Sequence, residues 1–192
     1  GNTVAPPDMR ALGAAIRAAG TAASCKLVVV TGEGADFCLG RRVVPGVARP
    51  AQARAFRENV ADAILGVYED LRHCPVPVLT AVQGQAKGFG CAFAAQSDIT
   101  IADPAARFSL PEMDTNLPPT LAISACLPRM PSKAILPMVL TRETVGADLA
   151  LAQGLVSEIA PAGGLGAAVE AYAAKLVDRD RDALIAIKEY MR

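Results

Sequence analysis

Two junctions between a strand and a glycine-rich loop are the places in this sequence where backbone chemistry is most readily built. The first is LVVVTGEGADFCLGRR, residues 27–42, and the second is VPVLTAVQGQAKGFGCA, residues 76–92. Glycines let bare N–H groups point outward from a loop, and Gly88-Phe89-Gly90 also opens a predicted helix whose dipole favours negative charge. Two such N–H groups converging from separate loops would form an oxyanion hole, in which one donor lowers a barrier by about 3 kcal/mol.

Each loop alone leaves other interpretations open. Glycine loops after strands also bind phosphates and dinucleotides, but the second loop is not G-x-G-x-x-G and no Walker G-x-x-x-x-G-K-[ST] pattern occurs. The structural alternative is two tight turns in an α/β core. The single histidine, His73, precedes Cys74-Pro75 and is interpreted as a surface turn residue. The five cysteines form no C-x-x-C pair, so no metal site is predicted.

The composition describes a neutral chain rich in apolar residues. Of its 192 residues 52% are apolar, and 19 basic side chains balance 19 acidic ones, which excludes global disorder. The lack of tryptophan and a pI near 6.8 argue against nucleic-acid binding. No stretch reaches the roughly 18 uncharged apolar residues of a membrane span. The odd number of cysteines and the absence of a signal-peptide pattern predict a cytoplasmic protein with reduced thiols.

The elements that must position these loops alternate between helix and strand, which is typical of an α/β domain. Asp8 is predicted to cap a first helix that ends at Gly20, and the β-branched run 27–31 to form a strand buried on both faces. Residues 42–52 are expected to be irregular, 84–90 to be a turn, and 111–131 stays unassigned. Other predicted strands span 76–82, 98–102, 107–110 and 155–159, and other predicted helices span 56–71, 91–96, 132–141 (kinked by Pro137), 165–177 and 181–191.

Four stretches, in this order, resemble the enoyl-CoA hydratase/isomerase family, the crotonase superfamily. Thr31–Gly40 is similar to T-G-x-G-x-x-F-C-x-G, and Pro77–Gly90 is similar to P-V-x-x-A-V-x-G-x-A-x-G-x-G. Ser97–Glu112 resembles C-D-I-x-I-A-x-x-x-A-x-F-x-x-P-E with a serine in place of the cysteine, and Ala150–Val156 resembles A-x-x-x-G-L-V. The order and spacing of four motifs make the resemblance specific, and it covers most of the chain.

The resemblance implies an α/β crotonase-like (ClpP/crotonase) fold, a spiral of ββα units with a helical C-terminal part. Residues 1–160 would be the crotonase-like core, and residues 161–192 a helical segment for oligomerisation, which we expect to be truncated. The family's leading strands and final helix are likewise expected to be absent. The implied assembly is a homotrimer or hexamer, without nucleic-acid or membrane partners. The implied substrate is an acyl-CoA thioester, with coenzyme A as part of the substrate and no separate cofactor.

The resemblance also implies roles for individual residues. The backbone N–H groups of Arg41 and Phe89 would be the oxyanion donors, and Glu112 the catalytic carboxylate that shuttles a proton. If Glu112 acts as a base, partial burial should raise its pKa; the alternative is that the Pro-Glu pair only turns the chain. Substrate contacts are expected from Leu39, Gly40, Arg42, Val43, Ala86, Gly88, Gly90 and Pro111.

The sequence departs from the family pattern at a position that affects the reaction type. Ala92 stands where a hydratase of the family has a glutamate, while Glu112 is retained. Adding water is easiest with two carboxylates, whereas shifting a double bond needs one base. We therefore expect isomerisation first and hydration second. Asp114 is either a second catalytic carboxylate or a solvated loop residue.

Further departures leave alternatives open. Arg41 and Arg42 replace a small residue and an aspartate, and either bind a carboxylated acyl group or coenzyme A phosphates, or lie exposed on a loop. Binding of a carboxylated acyl group would suit a decarboxylase or hydrolase. Phe89 is expected to narrow the acyl pocket, and Lys87 to face solvent or a neighbouring subunit. The missing glutamate also leaves open a CoA-thioester-binding subunit without turnover.

Overall fold

The computed structural model describes residues 2–42 and 60–192, which form two β-sheets surrounded by helices. The strands are β1 (Val28–Thr31), β2 (Val78–Val82), β3 (Gln85–Lys87), β4 (Ile99–Ala102), β5 (Arg107–Ser109), β6 (Val145–Gly146) and β7 (Glu158–Ile159). The helices are α1 (Pro6–Thr21), α2 (Asp62–His73), α3 (Phe89–Gln96), α4 (Thr120–Cys126), α5 (Ser132–Leu140), α6 (Ala147–Ala152), α7 (Leu165–Val177) and α8 (Arg181–Tyr190), and a 3₁₀-helix spans Pro111–Thr115. The α/β architecture with a parallel sheet is the one the sequence predicts.

The larger sheet is parallel throughout, with strand order β1-β2-β4-β7. All five residues of β2 are buried, as expected for a central strand covered on both faces. The prediction that residues 27–31 are buried on both faces is wrong. In the part of the chain that the structure describes, β1 is the edge strand and pairs with β2 alone, and Val29 is 40% exposed.

The smaller sheet has the order β3-β5-β6 and corrects the prediction that residues 84–90 are only a turn. Residues 85–87 form a strand that pairs in parallel with β5, and β5 pairs antiparallel with β6. Gly84 and Gly88, with φ of +56° and +50°, flank this strand. Their positive φ values turn the chain at each end, and glycine adopts them without a steric penalty. The two glycines therefore bracket a strand.

Helices α1 and α2 pack together over the larger sheet. The predicted apolar stripe of α2 is confirmed by the burial of Ile64, Val67 and Leu71, whereas Phe56 lies outside the described residues. Asp8 caps the start of α1 as predicted, but from the third helical position rather than as the N-cap residue, because the helix begins at Pro6. Proline suits the first turn of a helix, and the Asp8 carboxylate accepts a hydrogen bond of 2.8 Å from the Ala5 N–H.

The remaining helices complete the core. The small-residue helix α3 buries every residue except Gln96, and the unassigned stretch 111–131 contains the 3₁₀-helix and α4. The prediction of a strand over 155–159 holds only for its last two residues. Helices α7 and α8 closely match the predicted C-terminal pair, and α7 packs against the sheet through Val169 and Tyr172. Among the described residues, no helix combines the length and apolarity that crossing a bilayer requires.

Candidate active site

A cavity of about 250 Å³, here called the carboxylate cavity, lies where four segments of the chain meet. The segments are the loop after β1, the face of α2, the start of α3 and the stretch from the 3₁₀-helix into α4. Its lining includes the predicted residues Leu39, Gly40, Arg41, Gly88, Phe89, Pro111 and Glu112, together with Ile64, Tyr68, Lys87 and residues 115 and 117–122. The structure therefore brings together the two residues whose N–H groups are the predicted donors and the predicted carboxylate.

The two glycine-rich loops are joined by a short β-bridge. The N–H of Cys38 donates to the Gln85 carbonyl at 3.1 Å, and the N–H of Lys87 donates to the Cys38 carbonyl at 2.8 Å. Gly90 packs closely against Cys38. A β-carbon at position 90 would lie only 2.5 Å from the Cys38 carbonyl oxygen. The bridge and this close approach hold the segment that bears residue 41 beside the start of α3.

The candidate oxyanion donors occupy distinct backbone settings. Phe89 is the first residue of α3, so its N–H has no acceptor within the helix. On the other segment, residues 4 and 41 form a parallel bridge. Its hydrogen bonds run from the Val4 N–H to the Gly40 carbonyl and from the Arg42 N–H to the Val4 carbonyl, on either side of residue 41. The bridge thus fixes the backbone around Arg41 through its neighbours.

Glu112 directs its carboxyl group towards the start of α3. A β-carbon at position 88 would lie 2.7 Å from Glu112 Oε1, so a side chain there would displace this carboxyl group, and the positive φ separately favours glycine. Glu112 Oε2 is buried without a hydrogen-bond partner among the described residues. Burial raises the pKa of this carboxyl, opposed by a hydrogen bond from its own backbone and by the charge of Arg41. This is the direction expected for a partly buried base.

Tyr68 is a cavity residue that the sequence analysis missed. Its ring is parallel to that of Phe89, with centroids 6.4 Å apart and planes 8° apart. Burial raises the pKa of its phenol, and the neighbouring Glu112 adds to the shift. The available signal was helical spacing, because Tyr68 follows Ile64 by four residues and places a hydroxyl group on the apolar face of α2.

The other predicted contact residues that the structure describes are not part of the cavity lining. Ala86 is fully buried in β3 and Gly90 is buried against Cys38, so both shape the wall from behind. Arg42 is exposed, reaching the Thr3 carbonyl at 3.5 Å and lying 3.8 Å from Asp8. Val43 lies outside the described residues.

Asp114 does not join Glu112 in the carboxylate cavity. Its carboxylate pairs with Arg142 at 2.5 Å, and the two residues line a separate polar pocket on the surface. Ala92 is fully buried in α3 and adds no polar group. Among the described lining residues, Glu112 is thus the sole carboxylate of the cavity. The described part of the chain also contains no cluster of three His, Cys, Asp or Glu side chains that could hold a metal ion.

A helix start and a loop that line one cavity together with a half-buried glutamate are the arrangement expected of a crotonase-type α/β protein. Comparison with known proteins agrees. The chain belongs to the enoyl-CoA hydratase/isomerase family, whose model matches residues 1–192.

Individual relatives are moderately similar. A probable enoyl-CoA hydratase of Rhodobacter capsulatus is 34% identical over 164 residues, which are 81% of this chain and 62% of that protein. The mitochondrial enoyl-CoA hydratase domain-containing protein 3 of Mus musculus is 31% identical over 71% of this chain. The chain therefore spans only 62% and 45% of these curated relatives. The crystal structure of an enoyl-CoA hydratase/isomerase family protein from Silicibacter pomeroyi superposes with a TM-score of 0.90 at 31% identity, covering 98% of this chain and 80% of that one.

Proposed function

We propose that the protein processes an acyl-CoA thioester by forming an enolate, with isomerisation of an enoyl-CoA as the first reaction to test. The proposal relies chiefly on one observation: Glu112 is half-buried against Gly88, and its Oε2 atom is buried without a hydrogen-bond partner among the described residues. An unpartnered buried oxygen is costly for folding alone. It is expected where a carboxylate must accept a proton from a substrate.

The proposed reaction assigns one role to each part of the cavity. The thioester oxygen binds the N–H groups of Arg41 and Phe89. The Glu112 carboxylate removes a proton from the carbon next to the carbonyl of a 3-enoyl thioester, and the electron pair moves to the carbonyl oxygen. The donors stabilise the resulting enolate. Glu112 then returns the proton two carbons farther along, which leaves a 2-enoyl thioester.

The carboxylate content of the cavity supports isomerisation over hydration. Hydration requires one group to position water and another to manage the proton. Ala92 supplies no carboxylate and Asp114 pairs with Arg142 elsewhere. Hydration with Glu112 alone is the second reaction of the same proposal.

A second candidate function is decarboxylation or hydrolysis of a carboxylated acyl-CoA. The observation that favours it is Arg41, which lines the cavity and whose charge lowers the pKa of Glu112. A guanidinium group here could bind a substrate carboxylate. Arg42, the other cation considered for this role, lies outside the cavity lining.

The test is turnover of 3-enoyl-CoA, 2-enoyl-CoA and malonyl-CoA by the wild type and by Glu112→Gln. The variant removes the base but keeps the side-chain shape, so we expect kcat/KM on 3-enoyl-CoA to fall by about 10²–10⁴-fold. Glu170→Gln, on the exposed face of α7, is the matched control and should retain full activity.

Each alternative has its own outcome. Undiminished turnover by Glu112→Gln would show that the assigned base is wrong. Activity on malonyl-CoA alone would favour the second candidate. Calorimetric binding of butyryl-CoA without turnover of any thioester would instead indicate a binding subunit.

A further inference from the structure

A second cavity, of about 280 Å³, lies beside the carboxylate cavity and is lined mainly by apolar side chains. We call it the distal cavity. It is bordered by the N-terminal segment, α1, the end of β1 and the start of α3. Its apolar lining residues are Val4, Leu12, Val30, Phe37, Cys38 and Phe93, with Phe89 as a further member. None of the roles assigned under the proposed function uses this space.

Phe89 is the one described residue that lines both cavities. On one side its ring lies parallel to that of Tyr68 in the carboxylate cavity. On the other side it contacts the ring of Phe93 in the distal cavity, with centroids 6.1 Å apart, and Phe93 is in turn 6.1 Å from Phe37. A continuous row of four aromatic rings therefore runs from one cavity to the other, with Phe89 at the boundary.

We propose that the side chain of Phe89 is a partition that restricts the acyl group to short chains, and that the distal cavity would accept a longer chain once the ring is removed. This inference rests on the proposed function, because it places an acyl thioester in the carboxylate cavity. The proposed oxyanion donor is the N–H of the same residue, so the Phe89 side chain branches from the backbone at the reacting carbonyl. Its ring is then next to the first carbons of the acyl chain.

The cavity volumes fit this restriction. Pockets for drug-sized ligands are typically about 300–1,000 Å³. The carboxylate cavity, at about 250 Å³, falls below this range, whereas the two cavities together fall within it. The distal cavity is apolar, so an alkyl chain entering it gains affinity with each buried methylene. The volumes therefore support a short-chain acyl-CoA as the substrate class.

The test is calorimetric binding of saturated acyl-CoAs from butyryl to decanoyl, with free coenzyme A as the reference. It uses the 192-residue chain and requires no turnover. Wild type should bind butyryl-CoA more tightly than decanoyl-CoA. Phe89→Ala keeps the backbone N–H and should bind decanoyl-CoA at least about tenfold more tightly than wild type does. A change of one methylene group in an apolar pocket already gives discrimination of this size.

Two leucine variants keep the test decisive if the alanine variant folds poorly. Phe89→Leu removes less volume and should shift the chain-length profile in the same direction by a smaller factor. Phe108→Leu makes the same chemical change at a fully buried residue of β5 that lines neither cavity. It should bind the acyl-CoA series with the wild-type profile.

The outcomes separate this inference from the proposed function. If wild type binds butyryl-CoA but the Phe89 variants keep its chain-length profile, the partition is wrong and the proposed function stands. If wild type binds decanoyl-CoA as tightly as butyryl-CoA, the partition is equally overturned. Binding of no acyl-CoA by wild type would overturn the proposed function and this inference together.

Discussion

Glu112, the proposed catalytic base, occupies a position that is unfavourable for its charged form. Its carboxyl group lies where burial disfavours the charged form, and one of its oxygens has no partner among the described residues. Neighbouring groups oppose the effect without cancelling it, because the net shift of the pKa is upward. The charged carboxyl group of Glu112 therefore destabilises the folded state at neutral pH, which is common for residues in functional sites.

This cost predicts how stability depends on pH at the residue scale. The folded state binds the Glu112 proton more tightly than the unfolded chain does, whose pKa is the ordinary 4.5. The stability gained from the protonated group is thus fully present below that value and is lost as the pH rises through the folded pKa. Glu112→Gln should raise the free energy of unfolding at pH 7 by about 1 kcal/mol.

Chemical denaturation at two pH values checks this expectation. The difference between Glu112→Gln and wild type should disappear at about pH 4, where both side chains are neutral. Glu170→Gln, on an exposed helix face, should leave stability nearly unchanged at pH 7. A destabilised Glu112→Gln at neutral pH would contradict the idea that the charge is unfavourable in the folded state.

The sequence could indicate residues that belong to motifs, but not those whose role depends on packing. Glu112 and Phe89 were predicted because the motifs place them, and the cavity contains both. Helical spacing puts the Tyr68 hydroxyl on the apolar face of α2, but it does not show which residues of that face reach a cavity, so the sequence analysis missed Tyr68. The sequence leaves two roles open for Asp114 because its partner, Arg142, is 28 residues away.

At the scale of elements, helix α3 depends on its small residues to approach the first loop. There is no space for a side chain at position 90. A β-carbon there would lie 2.5 Å from the Cys38 carbonyl oxygen and 2.7 Å from Cys38 Cβ. Cys38 is held in a β-bridge and Gly90 belongs to α3, so the overlap is relieved only if the first loop and the helix separate. Since each element carries one proposed oxyanion donor, this contact sets the geometry of the pair.

Gly90→Ala should therefore damage both stability and activity. Overpacking at this contact should lower the free energy of unfolding by about 1–3 kcal/mol, and the displaced donor should reduce kcat by about 10²-fold or more. Gly166→Ala is the matched control, because a β-carbon there has open space and α7 favours alanine. Urea titration and turnover of the same thioester provide both readouts. Full activity in Gly90→Ala would show that the contact does not position the donors.

The elements predicted most closely were those with long, uniform patterns. Helices α7 and α8 follow the helical period and were placed within a residue or two. Strand β3 was missed because its three residues lie between glycines and resemble a turn. Strand β1 was expected to be fully buried, but whether a strand is central or an edge depends on its neighbours, which the pattern of one strand does not reveal.

At the scale of the whole molecule, one buried lysine joins the C-terminal helix to the core. The side chain of Lys188 in α8 is 5% exposed and its Nζ lies 2.7 Å from Asp98 Oδ2. The same nitrogen donates to the carbonyls of Leu71 at 2.9 Å and Val76 at 3.1 Å. These contacts connect α8 with the end of α2 and the beginnings of β2 and β4.

The acidic partner of the ion pair also contacts the backbone. Asp98 Oδ2 also accepts a hydrogen bond of 2.7 Å from the Val78 N–H. A buried pair contributes little compared with well-packed apolar residues, but losing one partner leaves the other charge uncompensated. In sequence, Lys188 is indistinguishable from the exposed basic residues of other helices, so this connection could not be predicted.

Lys188→Met should consequently lower the free energy of unfolding by about 3 kcal/mol, because Asp98 keeps its charge without a counterion. Lys188→Met combined with Asp98→Asn should recover part of this loss, since the unpaired charge is then absent. Lys133→Met, at an exposed site on α5, is the control and should change stability by less than about 0.5 kcal/mol. Urea denaturation measures all three variants. Equal stability of the single and double variants would show that the lysine acts through its carbonyl contacts rather than through Asp98.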